Sequence, residues 1–498
     1  MNEFDYLAKA KDKMCDEKYV EAKSLCDKAI KINSELPCAY NCRGNANYEL
    51  GYYEESVDDY TKAIEKESNN AEFYYDRSWA YNQISRSHSA MIDINKAIKL
   101  EPNNSRFYYS RARFEYDLGR YKEAIEDYTK GIEIKPTEKK YLNRADCYME
   151  LEMHDSAIAD YTSAIEIEPE SYVAFHRRGL VKMELEQFQE AIKDFEKAVE
   201  IFPEAAYSLV QIGHARIALG KKDAMKYFNK AVKVFPYADI YLERVKARVK
   251  ILLRETALEN LAQNKDICTD FFDRKLFNEK QAQDDIKDLN KALKDDPDNT
   301  EALELRADRY YYLKEFDKSI TDCVRLIDLE PENARYFYAL ALAYKGCGKF
   351  QEVIDNCQKS IELNGNKIDT EVFFLKAEAE YKLKQYNKVV DDLNISLAFE
   401  ESDKAYYYRG LAHYKSGDYQ RAVSDIKKSI ELKPDVLETY DDKLPKLLEF
   451  VVNLLRGKED KVGKGVNVVN ENVSDTPKEQ KSKSERPISI AGLRKLQG

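Results

Sequence analysis

Apolar residues along most of the chain recur at intervals of three and four, in stretches of about a dozen residues that alternate with short polar segments. This spacing puts the apolar side chains on one face of an α-helix, so each stretch is predicted to form an amphipathic helix. The stretches come in pairs, and a turn such as Leu118-Gly119-Arg120-Tyr121 separates the two members of a pair. The pattern therefore predicts a succession of helix-turn-helix units.

Small, aromatic and proline residues recur at fixed places within these units. In one unit Gly179 is followed twelve residues later by Ala191, and then by Phe195, Ala198 and Pro203. Neighbouring units repeat the set at intervals of 33 or 34 residues. Small residues allow two helix backbones to approach closely, and proline ends a helix because it lacks the N–H group and its φ is fixed. Eight of the twelve prolines share the register of Pro203: Pro102, Pro136, Pro169, Pro203, Pro236, Pro297, Pro331 and Pro434.

This pattern resembles the tetratricopeptide repeat, which has a period of about 34 residues and one helix-turn-helix in each unit. The resemblance implies an all-α fold, an α-α superhelical solenoid of about twelve helix-turn-helix repeats. Eleven copies are clear, and they begin near Glu3, Pro37, Ala71, Ser105, Glu138, Tyr172, Ala206, Thr300, Ala334, Thr370 and Asp403.

The order of the copies predicts four segments. They are a first repeat array at residues 3–236, an irregular repeat or insertion at 237–299, a second array at 300–456 and a flexible polar tail at 457–498. The second array is predicted to end in a capping helix at 437–455, because the last repeat otherwise exposes its apolar side.

The irregular segment at 237–299 is long enough for one repeat plus an extra helix or an insertion. Ala257 and Leu261 are candidates for a degenerate second helix, and 280–293 is a candidate for a further helix. The sequence leaves these alternatives open.

Charge and composition narrow the choice of partners. The chain has 498 residues and a formal net charge of −11, and the lysine-rich tail at 457–498 leaves the remaining body more acidic still. An acidic body repels phosphates, so nucleic acid is not expected to bind it.

The longest apolar segment, at 447–455, is too short to span a bilayer, and we expect no membrane partner. The first residues lack a basic region followed by an apolar stretch, so we expect a cytoplasmic protein.

The sequence offers no catalytic or metal-binding motif. Its five histidines are scattered, and phosphate-binding loops, dinucleotide fingerprints and zinc-protease motifs are absent. The nine cysteines form no C-x-x-C pair, and Cys26, Cys323 and Cys357 occupy an apolar register of the second helix, where a free thiol packs as a small hydrophobe. We therefore expect neither an enzyme, nor a cofactor, nor a metal site.

The resemblance also implies a binding surface. In this family the first helices line the concave face of the superhelix, where peptides or a partner's helix bind. By register, the groove-facing candidates are Asn41, Asn45, Tyr75, Trp79, Arg106, Tyr109, Arg113, Asn143, His176 and Arg177. Aromatic, arginine and asparagine side chains suit recognition because they supply apolar area and bidentate hydrogen bonds. By contrast, Tyr74, Tyr108 and Tyr141 fall on the packing register and are expected in the core.

Two ligand types are considered for the groove. Some family members bind the C-terminal carboxylate of chaperones through a clamp of five residues, of which only Asn143 and Arg177 have counterparts here, so this specific activity is disfavoured. Arg106, Arg113, Asn143 and Arg177 instead suggest a basic strip suited to acidic or C-terminal peptides.

Taken together, these patterns predict a non-enzymatic scaffold or adaptor that binds peptides or partner proteins in the groove of a repeat superhelix. Two alternatives stay open. One is a self-assembling structural protein, and the other is an accessory subunit of a transferase or RNA-processing complex.

Overall fold

The computed structural model describes residues 1–262, 278–365, 367 and 369–433, and the regular elements in these residues are all α-helices. The chain divides into two compact units, Met1–Glu315 and Phe316–Gly498. The predicted all-α fold is thus confirmed. The predicted capping helix at 437–455 and the tail at 457–498 lie outside the described residues.

The first unit contains α1 Glu3–Cys15, α2 Tyr19–Ile32, α3 Pro37–Glu49, α4 Tyr53–Lys66, α5 Ala71–Gln83, α6 Ser87–Leu100, α7 Ser105–Asp117, α8 Tyr121–Ile134, α9 Glu138–Glu150, α10 His154–Ile167, α11 Tyr172–Glu184, α12 Phe188–Ile201, α13 Ala206–Ala218, α14 Met225–Val234, α15 Ala238–Ala262, α16 Glu279–Asp295 and α17 Thr300–Tyr312. The second unit contains α18 Phe316–Leu329, α19 Ala334–Gly346, α20 Phe350–Asn364, α21 Thr370–Lys382, α22 Tyr386–Phe399, α23 Asp403–Lys415 and α24 Tyr419–Leu432.

Consecutive helices pack as pairs, and each pair packs on the next. In the first unit the partners run from α1 with α2 to α15 with α16, and in the second unit from α19 with α20 to α23 with α24. The second helix of each pair also packs on the first helix of the following pair, as α4 does on α5. Each helix therefore buries its apolar face between its partner and its neighbour, as expected of a repeat array.

Tight turns join the two helices of a pair. The turn residue of five pairs is a glycine with positive φ, as at Gly119 (φ 70°), a conformation that glycine adopts without steric cost. Several loops between pairs contain a proline, as at Pro102, and several end in an N-cap. Asn104 Oδ1, for example, accepts a hydrogen bond of 3.2 Å from the Arg106 N–H.

Small residues bring the two helices of a pair close together. A Cβ atom at Gly179 would lie 2.6 Å from Cε1 of Phe195, and one at Gly44 would lie 2.7 Å from Cε1 of Tyr60. The fully buried Cys26 and Cys357 take the place of these rings in other repeats, as the apolar register predicted. The eight cysteines that the structure describes are free thiols.

Where the structure describes the irregular segment, at 237–262 and 278–299, it contains one long helix and one partner. Ala257 and Leu261 lie within α15, which runs without a break to Ala262, and residues 280–293 lie within α16. Because α15 packs on α16, the two form one helix pair whose connection is lengthened. The boundaries of the two predicted arrays remain predictions.

Candidate functional site

The ten predicted groove residues lie on the first helices α3, α5, α7, α9 and α11 of the first unit. The helix α3 contacts α1 and α5, and side-chain contacts link α5 to α7, α7 to α9 and α9 to α11. Among the described helices, second helices of neighbouring pairs contact each other at most slightly. The first helices therefore form a continuous surface, which we call the first-helix face.

The α3–α5 part of this face holds polar atoms that lack partners. The Asn45 amide oxygen accepts a hydrogen bond of 2.6 Å from the Tyr60 hydroxyl. Asn41 Oδ1 and Trp79 Nε1 are buried and have no hydrogen-bond partner among the described residues. Burial raises the pKa of Asp76 to about 7, although a hydrogen bond with Asn41 opposes the shift. Unsatisfied polar groups of this kind are unusual in a folded interior.

Arg106 is held by the preceding repeat. Its guanidinium forms an ion pair with Glu72 and lies 4.4 Å from the centre of the Tyr75 ring. The Tyr75 ring in turn packs 5.1 Å from that of Phe107. These contacts join α5 to α7 and neutralise the charge of Arg106.

Arg113 differs from Arg106 because no carboxylate of the described chain pairs with it. Its side chain is exposed, and the guanidinium lies 5.3 Å from the centre of the Trp79 ring. Trp79 also packs edge to face on Phe114 at 5.1 Å. Arg113 thus keeps its hydrogen-bonding edge available while its flat face contacts an aromatic ring.

A cavity of about 290 Å³ lies beside Arg113 between α7 and α9. Asn143 Nδ2 donates hydrogen bonds to the hydroxyls of Tyr109 (3.1 Å) and Tyr128 (3.4 Å), which fixes the orientation of the Asn143 amide at the cavity wall. The lining is mostly polar and consists of Tyr109, Arg113, Tyr116, Asp117, Tyr128, Asn143 and Asp146.

His176 and Arg177 are each tied to a neighbouring repeat. The Nδ1 atom of His176 lies 2.8 Å from the Ser208 hydroxyl, and burial together with the charge of Arg177 lowers the pKa of His176. Arg177 forms an ion pair with Asp146, which also accepts a hydrogen bond of 2.7 Å from the Tyr161 hydroxyl.

The structure therefore places the predicted residues on one face, but only some of them are available to a ligand. Arg106 and Arg177 form ion pairs across repeats, whereas Arg113 and Asn143 border a cavity. The four residues of the suggested basic strip alternate with Glu72, Asp117 and Asp146, so positive charge is concentrated at Arg113.

Sequence reasoning missed a second set of polar residues, an arginine on each of several first helices that binds an aspartate on the partner helix. Both side chains are largely buried in most of these pairs, with exposed fractions of 15% and 7% for Arg144 and Asp160. The pairs are Arg43 with Asp59, Arg77 with Asp93, Arg111 with Asp127, Arg144 with Asp160, Arg178 with Asp194, Arg244 with Asp288 and Arg409 with Asp425.

Each such arginine also reaches the second helix of the preceding repeat. Arg77 Nη1 donates to Thr61 Oγ1 at 2.9 Å, and Arg178 Nη1 donates to Thr162 Oγ1 at 3.0 Å. One guanidinium therefore connects three helices. The signal was present in the sequence, because an aspartate follows the arginine after sixteen residues in six of the pairs.

The core tyrosines pack beside these arginines. Tyr74, Tyr108 and Tyr141 are partly buried against apolar clusters, as predicted from their register. The Tyr141 ring centre lies 5.5 Å from the guanidinium carbon of Arg144. The tyrosines thus shield the ion pairs from water.

Across the ranges that the structure covers, no group of three or more histidine, cysteine, aspartate or glutamate side chains is arranged to hold a metal ion. Within these ranges, no helix has the length and apolar character needed to cross a membrane.

Comparison with known proteins decides the family. Models of the tetratricopeptide repeat match residues 37–70, 71–104, 105–138, 141–171, 172–205, 334–367 and 404–436. The chain belongs to the tetratricopeptide repeat family. The matched segments coincide with helix pairs of both units, so the family and the helical repeat architecture agree.

Two curated proteins are similar to this tetratricopeptide repeat protein. They are a DnaJ homolog subfamily C member 3 homolog from Dictyostelium discoideum, 24% identical over 159 residues, and Tetratricopeptide repeat protein 13 from Homo sapiens, 24% identical over 161 residues. Each match covers 31% of this chain. The chain spans only 27% and 18% of the length of these relatives.

Solved tetratricopeptide repeat structures also match parts of the chain. The crystal structure of MamA is 24% identical, with coverage of 33% of this chain and 91% of that chain and a TM-score of 0.32. YrrB, described as a TPR protein with an unusual peptide-binding site, is 23% identical, with coverage of 37% and 95% and a TM-score of 0.33.

Proposed function

We propose that this protein is a non-enzymatic scaffold of the cytoplasm, and that it binds a peptide or an extended segment of a partner protein along the first-helix face between α3 and α11. The observation that carries the proposal is the polar cavity beside Arg113, where a cation without a carboxylate partner meets a fixed asparagine amide. A preformed face of this kind binds with little ordering cost in the scaffold.

The side chains around the cavity match the groups that a peptide presents. The Arg113 guanidinium can donate two parallel hydrogen bonds to a carboxylate. The Asn143 amide donates to two tyrosine hydroxyls, which leaves its oxygen to accept a hydrogen bond from a peptide N–H.

The charges around the cavity define the preferred peptide. Asp117 and Asp146 line the same cavity as Arg113, so a strongly acidic segment would meet repulsion there. A peptide that places a single carboxylate at Arg113, either a C-terminus or one acidic side chain, avoids this repulsion. We therefore propose a ligand with one carboxylate at this point.

The test is affinity capture from native lysate with the full chain as bait, comparing wild type with Arg113→Glu, followed by mass spectrometry. Arg113 is the better target because substituting Arg106 or Arg177 also removes an ion pair between repeats. We expect Arg113→Glu to lose at least one partner that wild type retains. Arg120→Glu, an equal charge change at an exposed turn residue between α7 and α8, is the matched control.

Trp79 provides a direct readout, since it is the one tryptophan of the chain and lies against Arg113. Peptides from a captured partner are expected to change the Trp79 fluorescence when they bind. Each peptide is measured once with a free C-terminal carboxylate and once without it. If Arg113→Glu and Asn143→Ala retain every partner and every peptide with wild-type affinity, the proposal is wrong.

Self-association is the rival role to exclude. Light scattering that gives one mass across a wide concentration range would count against self-association. A mass that rises with concentration, and falls again in Arg113→Glu, would favour a self-assembling structural protein instead.

A further inference from the structure

Five exposed aromatic side chains lie together at one edge of the first unit, in and beside the loops that join successive helix pairs. Tyr207 and Tyr237 are about half exposed, and the other three are somewhat less so. We call this set the aromatic edge: Tyr172, Phe202, Tyr207, Phe235 and Tyr237. It is separate from the cavity beside Arg113 and shares no residue with it.

The rings contact one another in two groups, Tyr172 with Phe202 and Phe235 with Tyr207 and Tyr237, while they remain exposed to solvent. The ring centres of Tyr172 and Phe202 are 4.9 Å apart, and those of Phe235 and Tyr237 are 4.1 Å apart in a stacked arrangement. Tyr207 lies 6.4 Å from Phe235, and its hydroxyl donates a hydrogen bond of 2.7 Å to Asp239. The contacts fix the rings as a preformed surface.

The repeat architecture does not require aromatic residues here. Phe202 and Phe235 each come directly before the proline that follows a second helix. The same place in other repeats is polar and exposed: Glu101, Lys135, Glu168 and Glu330. An exposed apolar cluster that the fold does not need is a common mark of an interaction site.

Carboxylates lie close to the rings along the chain, and one of them contacts a ring hydroxyl. Glu204 follows Phe202 and Pro203, Asp239 binds the Tyr207 hydroxyl, and Glu168 and Glu170 lie in the loop just before Tyr172; all four side chains are exposed. Lys233 is the one basic residue in the loops and helix ends at this edge. The surface therefore combines exposed ring faces with an excess of negative charge.

We infer that the aromatic edge binds a basic, arginine-containing segment of a partner protein. A guanidinium stacks on an aromatic face while its N–H groups donate to carboxylates, so one side chain uses both features of the surface. The four carboxylates repel an acidic segment. A purely apolar segment contacts the rings but forms no ion pair with the carboxylates. This site acts independently of the peptide site beside Arg113.

The test uses fluorescence anisotropy with the full chain and three labelled model peptides, which alternate leucine with arginine, with lysine or with glutamate. We expect the arginine peptide to bind best and the glutamate peptide not to bind. The triple variant Phe202→Ala, Phe235→Ala, Tyr237→Ala should weaken binding of the arginine peptide by about tenfold or more, since each exposed ring contributes modestly to cation binding.

Matched controls separate this site from general attraction to an acidic chain. The triple variant Tyr52→Ala, Phe399→Ala, Tyr419→Ala removes three exposed rings elsewhere and should change affinity less than twofold. Glu204→Lys with Asp239→Lys should weaken binding more than Glu54→Lys with Glu55→Lys, which changes the net charge equally at exposed positions of α4.

Three results would overturn the inference. One is equal loss of affinity in the edge and control variants, which would indicate non-specific electrostatics. Another is loss of binding in Asp117→Lys but not in the edge variant, which would move the arginine peptide to the cavity beside Arg113. The third is a concentration-dependent mass that disappears in the edge variant, which would assign the surface to contact between copies of the chain. Thermal unfolding of each variant checks that the fold is retained.

Discussion

Arg144 binds Asp160 through two hydrogen bonds of 2.7 Å, from Nε and Nη2 of the guanidinium to the two carboxylate oxygens. Arg144 Nη1 also donates to Thr129 Oγ1 on the preceding second helix at 2.8 Å. Three helices therefore meet at one planar group, and the same arrangement recurs along the chain. These arginines hold the repeats together and are not available for binding a partner.

Removing one member of this pair should destabilise the array locally. For Asp160→Ala we expect a loss of about 3 kcal/mol, because the guanidinium remains buried without its counter-charge. The double variant Arg144→Ala, Asp160→Ala should lose less than the sum of the two single variants. Urea unfolding gives the overall change, and hydrogen exchange in α9 and α10 locates it.

The exposed pair Lys130 and Glu133, 3.0 Å apart, is the control for that experiment. Glu133→Ala should cost less than about 0.5 kcal/mol, since exposed ion pairs contribute little. Equal effects of Glu133→Ala and Asp160→Ala would contradict the structural role assigned to the buried pairs.

Gly179→Ala should destabilise the α11–α12 pair. The new methyl group would lie 2.6 Å from the Phe195 ring, so the two helices must separate or the ring must move. We expect a cost of about 1–3 kcal/mol in urea unfolding, as for overpacking elsewhere. Adding Phe195→Leu should recover part of this loss because it makes room for the methyl group.

Gly131→Ala is a suitable comparison, because the nearest atom to a new methyl group there is Cδ of the flexible Lys140 side chain, at 3.3 Å. Alanine also favours a helix by about 1 kcal/mol over glycine, so Gly131→Ala should be close to neutral. If Gly179→Ala unfolds at the same urea concentration as wild type, Gly179 is not needed for the close approach of α11 and α12.

Stability should fall as the pH rises from about 5 to 8, because of two buried glutamates. Burial, followed by the nearby Asp127, raises the pKa of Glu115 to about 8, and burial with Asp392 does the same for Glu380. Folded chains therefore hold protons that unfolded chains release above a pKa of 4.5. A raised pKa in the folded state favours folding at low pH, and this contribution is lost as the pH rises through 8.

Glutamine at these two positions removes the titration while keeping a similar shape. At pH 8, Glu115→Gln and Glu380→Gln should each be more stable than wild type by about 1 kcal/mol, with a smaller difference at pH 5. Urea unfolding at both pH values provides the measurement, with exposed Glu54→Gln as the control. Parallel pH profiles for wild type and both buried variants would show that the two carboxyls do not govern the effect.

Arg254→Ala should loosen the contact between α15 and α13. Arg254 Nη1 donates to the carbonyl oxygen of Ala218 at 3.0 Å and also to that of Ile217, both in the last turn of α13. We expect faster amide exchange in the last turn of α13 and a loss of about 1 kcal/mol. Arg254→Lys retains one donor and should fall between wild type and Arg254→Ala. Unchanged exchange in both variants would mean that the contact does not hold the two helices together.

Much of the fold could be read from the sequence because its determinants are local and repeated. The spacing of Gly179, Ala191 and Phe195 identifies two helices that pack closely, and Pro203 marks where the second one ends. Ala257 shows the limit of this reasoning, because a small residue in a helical pattern does not reveal whether the helix has already ended.

The candidate site was predictable only in part. Register alone placed Arg106, Arg113 and Arg177 on the first helices, since helical periodicity decides which side chains share a face. It did not reveal that Glu72 and Asp146, each roughly one repeat away, neutralise two of these arginines.

The sequence by itself determined the all-α repeat architecture and the family, because both depend on patterns within about 34 residues that occur many times. Only the tertiary structure decided which polar side chains are paired. The carboxylates that pair with Arg106 and Arg177 come from other repeats, and their distances depend on how the helix pairs stack. The same stacking leaves Arg113 beside a cavity and exposes the rings of Phe202 and Phe235 at an edge, so the two proposed binding surfaces became visible only in three dimensions.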